Sequence, residues 1–172
     1  MKPSDDARPI NGLALLEALP HLLLLTAIFF TTFLARIILA PLLPTIQAEL
    51  DIGYRSAGHL FFILSTGYFL SLLSTSYLAG RFQHRILIIA SSIGLGMVLC
   101  AAPWIRTIAG LRTIVFLLGL TAGLYLPSGI SAVTHLTRPS HWGRALAIHE
   151  LAPNFAFILA PVAAELVLHY TT

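Results

Sequence analysis

Charge is scarce in this sequence. Asp, Glu, Lys and Arg make up only 10% of the 172 residues, where a soluble domain carries about 25%. That excludes a chain kept in solution by a charged surface. The basic residues are not clustered and fall mostly between apolar runs, so a net charge of +3 gives no nucleic-acid footprint. Cysteine is almost missing. The lone Cys100, inside an apolar run, excludes an intrachain disulfide and offers no activated nucleophile. Catalytic signatures are absent too. HELAPN (149–154) begins like a zinc-protease helix, but Pro153 stands where HExxH needs its second histidine. GLTAG and PSG lie within an apolar run without a following Lys-Ser/Thr, so they form no phosphate loop. Alternating short strands are lacking, which excludes a β-barrel. No catalytic residue, metal site or cofactor is expected.

Long apolar runs are what the sequence has. Hydrophobic residues make up 57%, and mean hydropathy is +0.86. The run HLLLLTAIFFTTFLARIILAPLL is too long for a signal-peptide core and has no small-residue cleavage site after it. It reads as an uncleaved transmembrane helix. Four more runs follow, giving spans of about 20–43, 56–79, 85–104, 111–136 and 144–169 after a cytoplasmic segment 1–19. At 1.5 Å per residue each reaches about 30 Å, the thickness of the hydrocarbon core. Backbone groups there have no water to bond, so the expected fold class is all-α and integral to the membrane, with five transmembrane helices.

Lys2, Arg8, Arg81, Arg85, Arg138 and Arg144 fall on one side of these spans, and Arg55, Arg106 and Arg112 on the other. The asymmetry predicts a cytoplasmic N-terminus. Trp104 and Trp142 then mark opposite interfaces.

Polar residues inside the spans are the candidate functional groups, because ionisable side chains in a bilayer are costly. Arg36 lies about 22 Å along span 1, near the midplane. It suits an anion-binding or gating cation, or else an arginine that snorkels outward or pairs with a neighbour. His149, Glu150 and Asn154 stand in span 5, with Glu150 and Asn154 one turn apart on one face. They read equally as a cavity-facing patch with a titratable carboxylate or as an interhelical hydrogen-bond cluster. Tyr125, near the middle of span 4, is a candidate substrate contact, while Pro127 beside it shapes the helix. Ser65, Tyr68, Ser71 and Thr75 form a mildly polar stripe on span 2 that lines a path or packs a helix. Gly119 and Gly123 form a GxxxG pair, read as close packing. Span 1 (LARIILAPLLP) and span 4 (GLTAGLYLPSG) each carry a late proline, as inverted repeats with interrupted helices do.

APLLPTIQAELDIG after span 1, SYLAGRFQHR between spans 2 and 3, LLGLTAGLYLPSGISAV in span 4 and GRALAIHELAPN entering span 5 resemble the N-terminal half of a major facilitator superfamily transporter. The resemblance implies most of a six-helix bundle and alternating access about a central site. It assigns Arg81 and Arg85 to the cytoplasmic gating loop, where Gly80 stands at the family's acidic position. Val115 occupies the place of an arginine found in many members. The implied activity is secondary transport of a small organic solute, expected to be anionic, with the coupling ion open. The substrate-binding or cavity-lining candidates are Arg36, Tyr125, His149, Glu150 and Asn154. The implied partners are the solute, a coupling ion, the lipid bilayer and a C-terminal half that this fragment lacks, with no nucleic acid. The expected location is a bacterial inner membrane. The alternative is a non-transporting remnant or assembly partner whose polar groups only join helices.

Overall fold

The computed structural model describes residues 13–171. Lys2 and Arg8, and with them most of the segment 1–19, lie outside the described residues. Eight α-helices are present among the described residues: α1 (Leu15–Ile37), α2 (Leu39–Leu50), α3 (Tyr54–Leu78), α4 (His84–Ala101), α5 (Ile108–Gly123), α6 (Tyr125–Leu136), α7 (Trp142–His149) and α8 (Leu151–Thr171). They form five runs long and apolar enough to cross a membrane, Leu15–Leu50, Tyr54–Leu78, His84–Trp104, Ile108–Leu136 and Pro139–Tyr170. No strand occurs among the described residues, only a parallel bridge. There the Leu13 N–H donates to the Leu136 carbonyl at 3.0 Å and the Arg138 N–H to the Leu13 carbonyl at 3.3 Å. That bridge ties the start of span 1 to the turn between spans 4 and 5.

Three of the five spans are broken, and each break has the same cause. Proline has no N–H, and its ring presses on the carbonyl four residues earlier. Pro41, Pro127 and Pro153 stand four residues after Ile37, Gly123 and His149, the last residues of α1, α5 and α7. The residues between the half-helices open accordingly. Ile38, Leu124 and Glu150 have ψ of −21°, −26° and 0°, against about −42° in a regular helix. Each proline then becomes the third residue of the next half-helix, where an N–H would lack a partner anyway. Pro161 lies inside α8 without ending it. The late prolines of spans 1 and 4 therefore do interrupt their helices, and span 5 has a third interruption.

Close helix contact, rather than large buried side chains, holds the bundle. Lipid is as apolar as leucine, so helices associate through van der Waals packing and hydrogen bonds. The α3–α5 contact depends on glycine. A Cβ at Gly67 would strike the Phe116 carbonyl oxygen, and one at Gly119 the Leu64 carbonyl oxygen. One at Gly123 would stand 2.6 Å from Ser71 Cβ. Ser71 and Thr75 are buried at this seam, so half of the polar stripe on span 2 packs helices. On α8, which runs along α1, Ala152, Ala156, Ala160 and Ala164 recur every four residues and are buried. Phe155, Phe157, Ile158, Val162 and Leu166 face outward from the same helix. Large apolar surfaces of this kind suit lipid or another bundle, not water.

Candidate functional site

The breaks of spans 4 and 5 meet against the face of span 1. Tyr125 is the first residue after the break in span 4, and His149 is the last before the break in span 5. Both are fully buried, at 0% exposure. The two rings lie side by side, with centres 5.9 Å apart and planes at 6°, and Phe29 of α1 stacks on each. Its ring is 5.3 Å from Tyr125 at 14° and 4.6 Å from His149 at 9°. Ile88 and Ala152 close the cluster from α4 and α8. Gly129 makes room for the phenol, since a Cβ there would come 2.7 Å from the Tyr125 ring.

A chain of polar contacts runs through this apolar packing. The Tyr125 hydroxyl donates to the Leu25 carbonyl of α1 at 2.6 Å, and its oxygen meets His149 Nε2 at 3.1 Å. His149 Nδ1 lies 3.3 Å from Glu150 Oε1. Neighbouring residues on a regular helix point apart. The two side chains nevertheless meet, on backbone that is still helical up to Glu150, whose N–H donates to the Leu146 carbonyl at 2.8 Å. The Glu150 side chain is 50% exposed, so the chain of contacts runs from the surface into the core. Asn154 donates to the Glu150 carbonyl at 2.9 Å and is itself exposed.

Arg36 lies further along the same face of α1, seven residues after Phe29 through Phe33. The Phe33 ring meets Phe29 edge-on at 6.1 Å and Phe157 at 5.3 Å. The Arg36 guanidinium carbon sits 4.2 Å from the Tyr68 ring centre and 4.9 Å from that of Phe33. Ring faces attract a cation, more strongly where water is thin. Arg36 Nε is buried with no hydrogen-bond partner, and among the described residues no carboxylate lies within ion-pair distance of the guanidinium. Arg36 lines a pocket of about 180 Å³ whose other walls are Phe33, Ile37, Phe61 and Leu64.

The structure thus joins Tyr125, His149 and Glu150 directly and connects Arg36 to them through two phenylalanines. Arg81 and Arg85 belong elsewhere, exposed at the α3–α4 turn, where the Arg81 guanidinium packs 4.8 Å over the Tyr77 ring. At the same end of the bundle, Trp142 Nε1–H donates to the carbonyls of Thr134 and Thr137, at 2.9 and 3.1 Å, fastening the turn between α6 and α7. Sequence reasoning missed Phe29, the residue that unites the cluster. The available signal was the aromatic spacing Phe29–Phe33 leading to Arg36 on one helical face.

The family model of the Major Facilitator Superfamily matches residues 25–172, from Leu25 in span 1 to the end of the chain. No curated protein matches the chain. The match takes in every residue of the cluster, most of the first apolar helical run and the whole of the other four. The chain is an integral membrane protein and belongs to the Major Facilitator Superfamily of membrane transporters.

Proposed function

We propose that this bundle carries one half of the solute path of a secondary transporter for small organic anions, and that it works by rocking against a second bundle. The supporting observation is Arg36. Its guanidinium is held by two aromatic faces, has no carboxylate partner among the described residues, and borders a pocket with apolar walls. Tyr68 also offers its hydroxyl to the guanidinium, while Nε is buried without a partner and the other N–H groups exceed what one hydroxyl can take. The guanidinium edge offers paired donors matched to carboxylate or phosphate. Broken helices in spans 1, 4 and 5 accord with this reading, since interrupted helices build the midplane sites of transporters.

The bundle sits with its N-terminus inside, on the basic asymmetry of the turns. Arg81 and Arg85 then face the cytoplasm and serve the gate there. Tyr125, His149 and Glu150 form the wall behind the path, with Asn154 at its surface.

A second reading has one observation in its favour. Tyr125 and His149 are fully buried and bonded within this bundle, as residues that only join helices would be. Uptake into proteoliposomes separates the two. The protein, reconstituted and offered a panel of labelled carboxylates and organic phosphates, accumulates at least one of them saturably. No saturable uptake of any panel member leaves the helix-joining reading standing.

A further inference from the structure

The contacts of Tyr125, His149 and Glu150 need one more proton than a neutral imidazole beside an ionised carboxylate can place there. The Leu25 carbonyl only accepts, so at 2.6 Å the phenol proton is committed to it. Tyr125 oxygen can then only accept from His149, which puts a proton on Nε2. In a neutral imidazole that leaves Nδ1 as a bare lone pair, and Nδ1 faces Glu150 Oε1 at 3.3 Å. A lone pair against a carboxylate is repulsive. A second ring proton on Nδ1, or a proton on the carboxyl, turns the contact into a hydrogen bond.

We propose that Tyr125, His149 and Glu150 form a binding site for one exchangeable proton, and that its loss transfers the Tyr125 hydrogen bond from the Leu25 carbonyl to His149. The exchange balances. The Nδ1 proton leaves by way of the Glu150 carboxylate, whose side chain is half exposed, and the proton left on Nε2 then exchanges to Nδ1, giving the other tautomer of the neutral ring. The remaining ring proton sits on Nδ1 and donates to the carboxylate. Nε2 becomes an acceptor, and the phenol proton turns to it. The Leu25 carbonyl loses its interhelical donor, so the proton state decides whether span 4 is bonded to span 1 beside the two breaks.

Other ionisable groups do not supply this proton. Around His149, α1 carries Glu17, His21 and Arg36; α6 carries His135, bonded to Ser131; α7 carries Arg144; α8 carries Glu165, His169 and Tyr170. Among the described residues, only Tyr125 and Glu150 are within hydrogen-bond reach of the His149 ring. That proton uptake drives solute movement rests on the transport reading above; the site itself does not.

The test is the nitrogen resonance spectrum of the ¹⁵N-histidine-labelled protein in lipid bilayers, titrated from acid to alkaline pH with no solute present. The His149 signals, assigned by loss in His149→Phe, go from a ring protonated on Nε2 to one bare on Nε2. In Glu150→Gln the amide supplies its own N–H to Nδ1, so Nε2 stays protonated throughout. Where Glu150→Gln does not fold, Tyr125→Phe serves instead. Nε2–H then lacks an acceptor, and proton affinity falls at least about tenfold. A His149 ring whose state never changes with pH in the wild type overturns the proposal, as does an unaltered transition in both variants. An intact transition without solute uptake refutes transport and leaves the proton site in place.

Discussion

Phe29 and His149 lie face to face, with ring centres 4.6 Å apart and planes 9° from parallel. The same phenylalanine stacks on Tyr125, so one side chain of span 1 packs on both rings beside the interruptions of spans 4 and 5. Phe29→Ala should lower stability in detergent by about 3 kcal/mol, in the range for removing a buried phenylalanine. Phe29→Leu should cost less, because it keeps the volume and loses the stack. Thermal unfolding of the two variants checks the order. Equal losses would mean that the ring geometry is unimportant.

The Tyr125 hydroxyl serves two partners on two other spans. Tyr125→Phe leaves the Leu25 carbonyl and His149 Nε2 without it and should cost about 1–3 kcal/mol. The cost should shrink when His149 is already phenylalanine, because one of the two orphaned groups is gone. A double-mutant cycle on thermal stability measures this coupling. Strict additivity would dissolve the network into independent contacts.

The glycines divide into two groups by what surrounds them. Gly67→Ala and Gly119→Ala place a methyl on a facing backbone carbonyl and must push α3 and α5 apart. Gly96→Ala on α4 meets nothing within 4 Å and should raise stability by up to about 1 kcal/mol through helix propensity. Unfolding midpoints falling for the first two and rising for the third would match. Three equal shifts would contradict the close seam.

Pro153 should decide whether span 5 breaks at all. Pro153→Ala restores a backbone N–H for the His149 carbonyl and lets span 5 run on as regular helix. The variant should be at least as stable as the parent. The His149 ring should keep its Glu150 partner, because the Glu150 N–H already bonds the Leu146 carbonyl as in a regular helix and the break redirects only the chain after Glu150. The same labelled-histidine spectra report the contact, and its loss would show that the proline is what holds the carboxylate there.

Hydropathy alone revealed the five spans, because backbone burial in lipid leaves a helix no alternative. Gly119 and Gly123 were equally legible as a packing motif, though their partner Gly67 was not, since the other glycine of its span, Gly58, is too far from it to form a GxxxG pair. The interruptions were half visible. Prolines can be read from the sequence, but Pro161 sits in a continuous helix while Pro153 ends one, and that difference lies in the surrounding packing. His149 and Glu150 were recognisable as costly intramembrane groups. Their mutual contact was not, because helical spacing separates neighbours and side-chain rotamers are not written in a helical pattern. Tyr68 was seen as part of a polar stripe, yet it turns its ring to Arg36 on another span, a relation that no single-helix pattern contains.

The most direct test of the transport account is equilibrium binding of labelled organic carboxylates and phosphates to the purified full-length protein in detergent, with Arg36 varied. Wild-type protein should bind at least one of them saturably. Arg36→Ala should weaken that binding by about a hundredfold or more, and Arg36→Lys, which keeps the charge and loses the fork, by about tenfold. Binding by Arg36→Ala as tight as wild type would contradict the account, leaving Arg36 a cation parked between Phe33 and Tyr68.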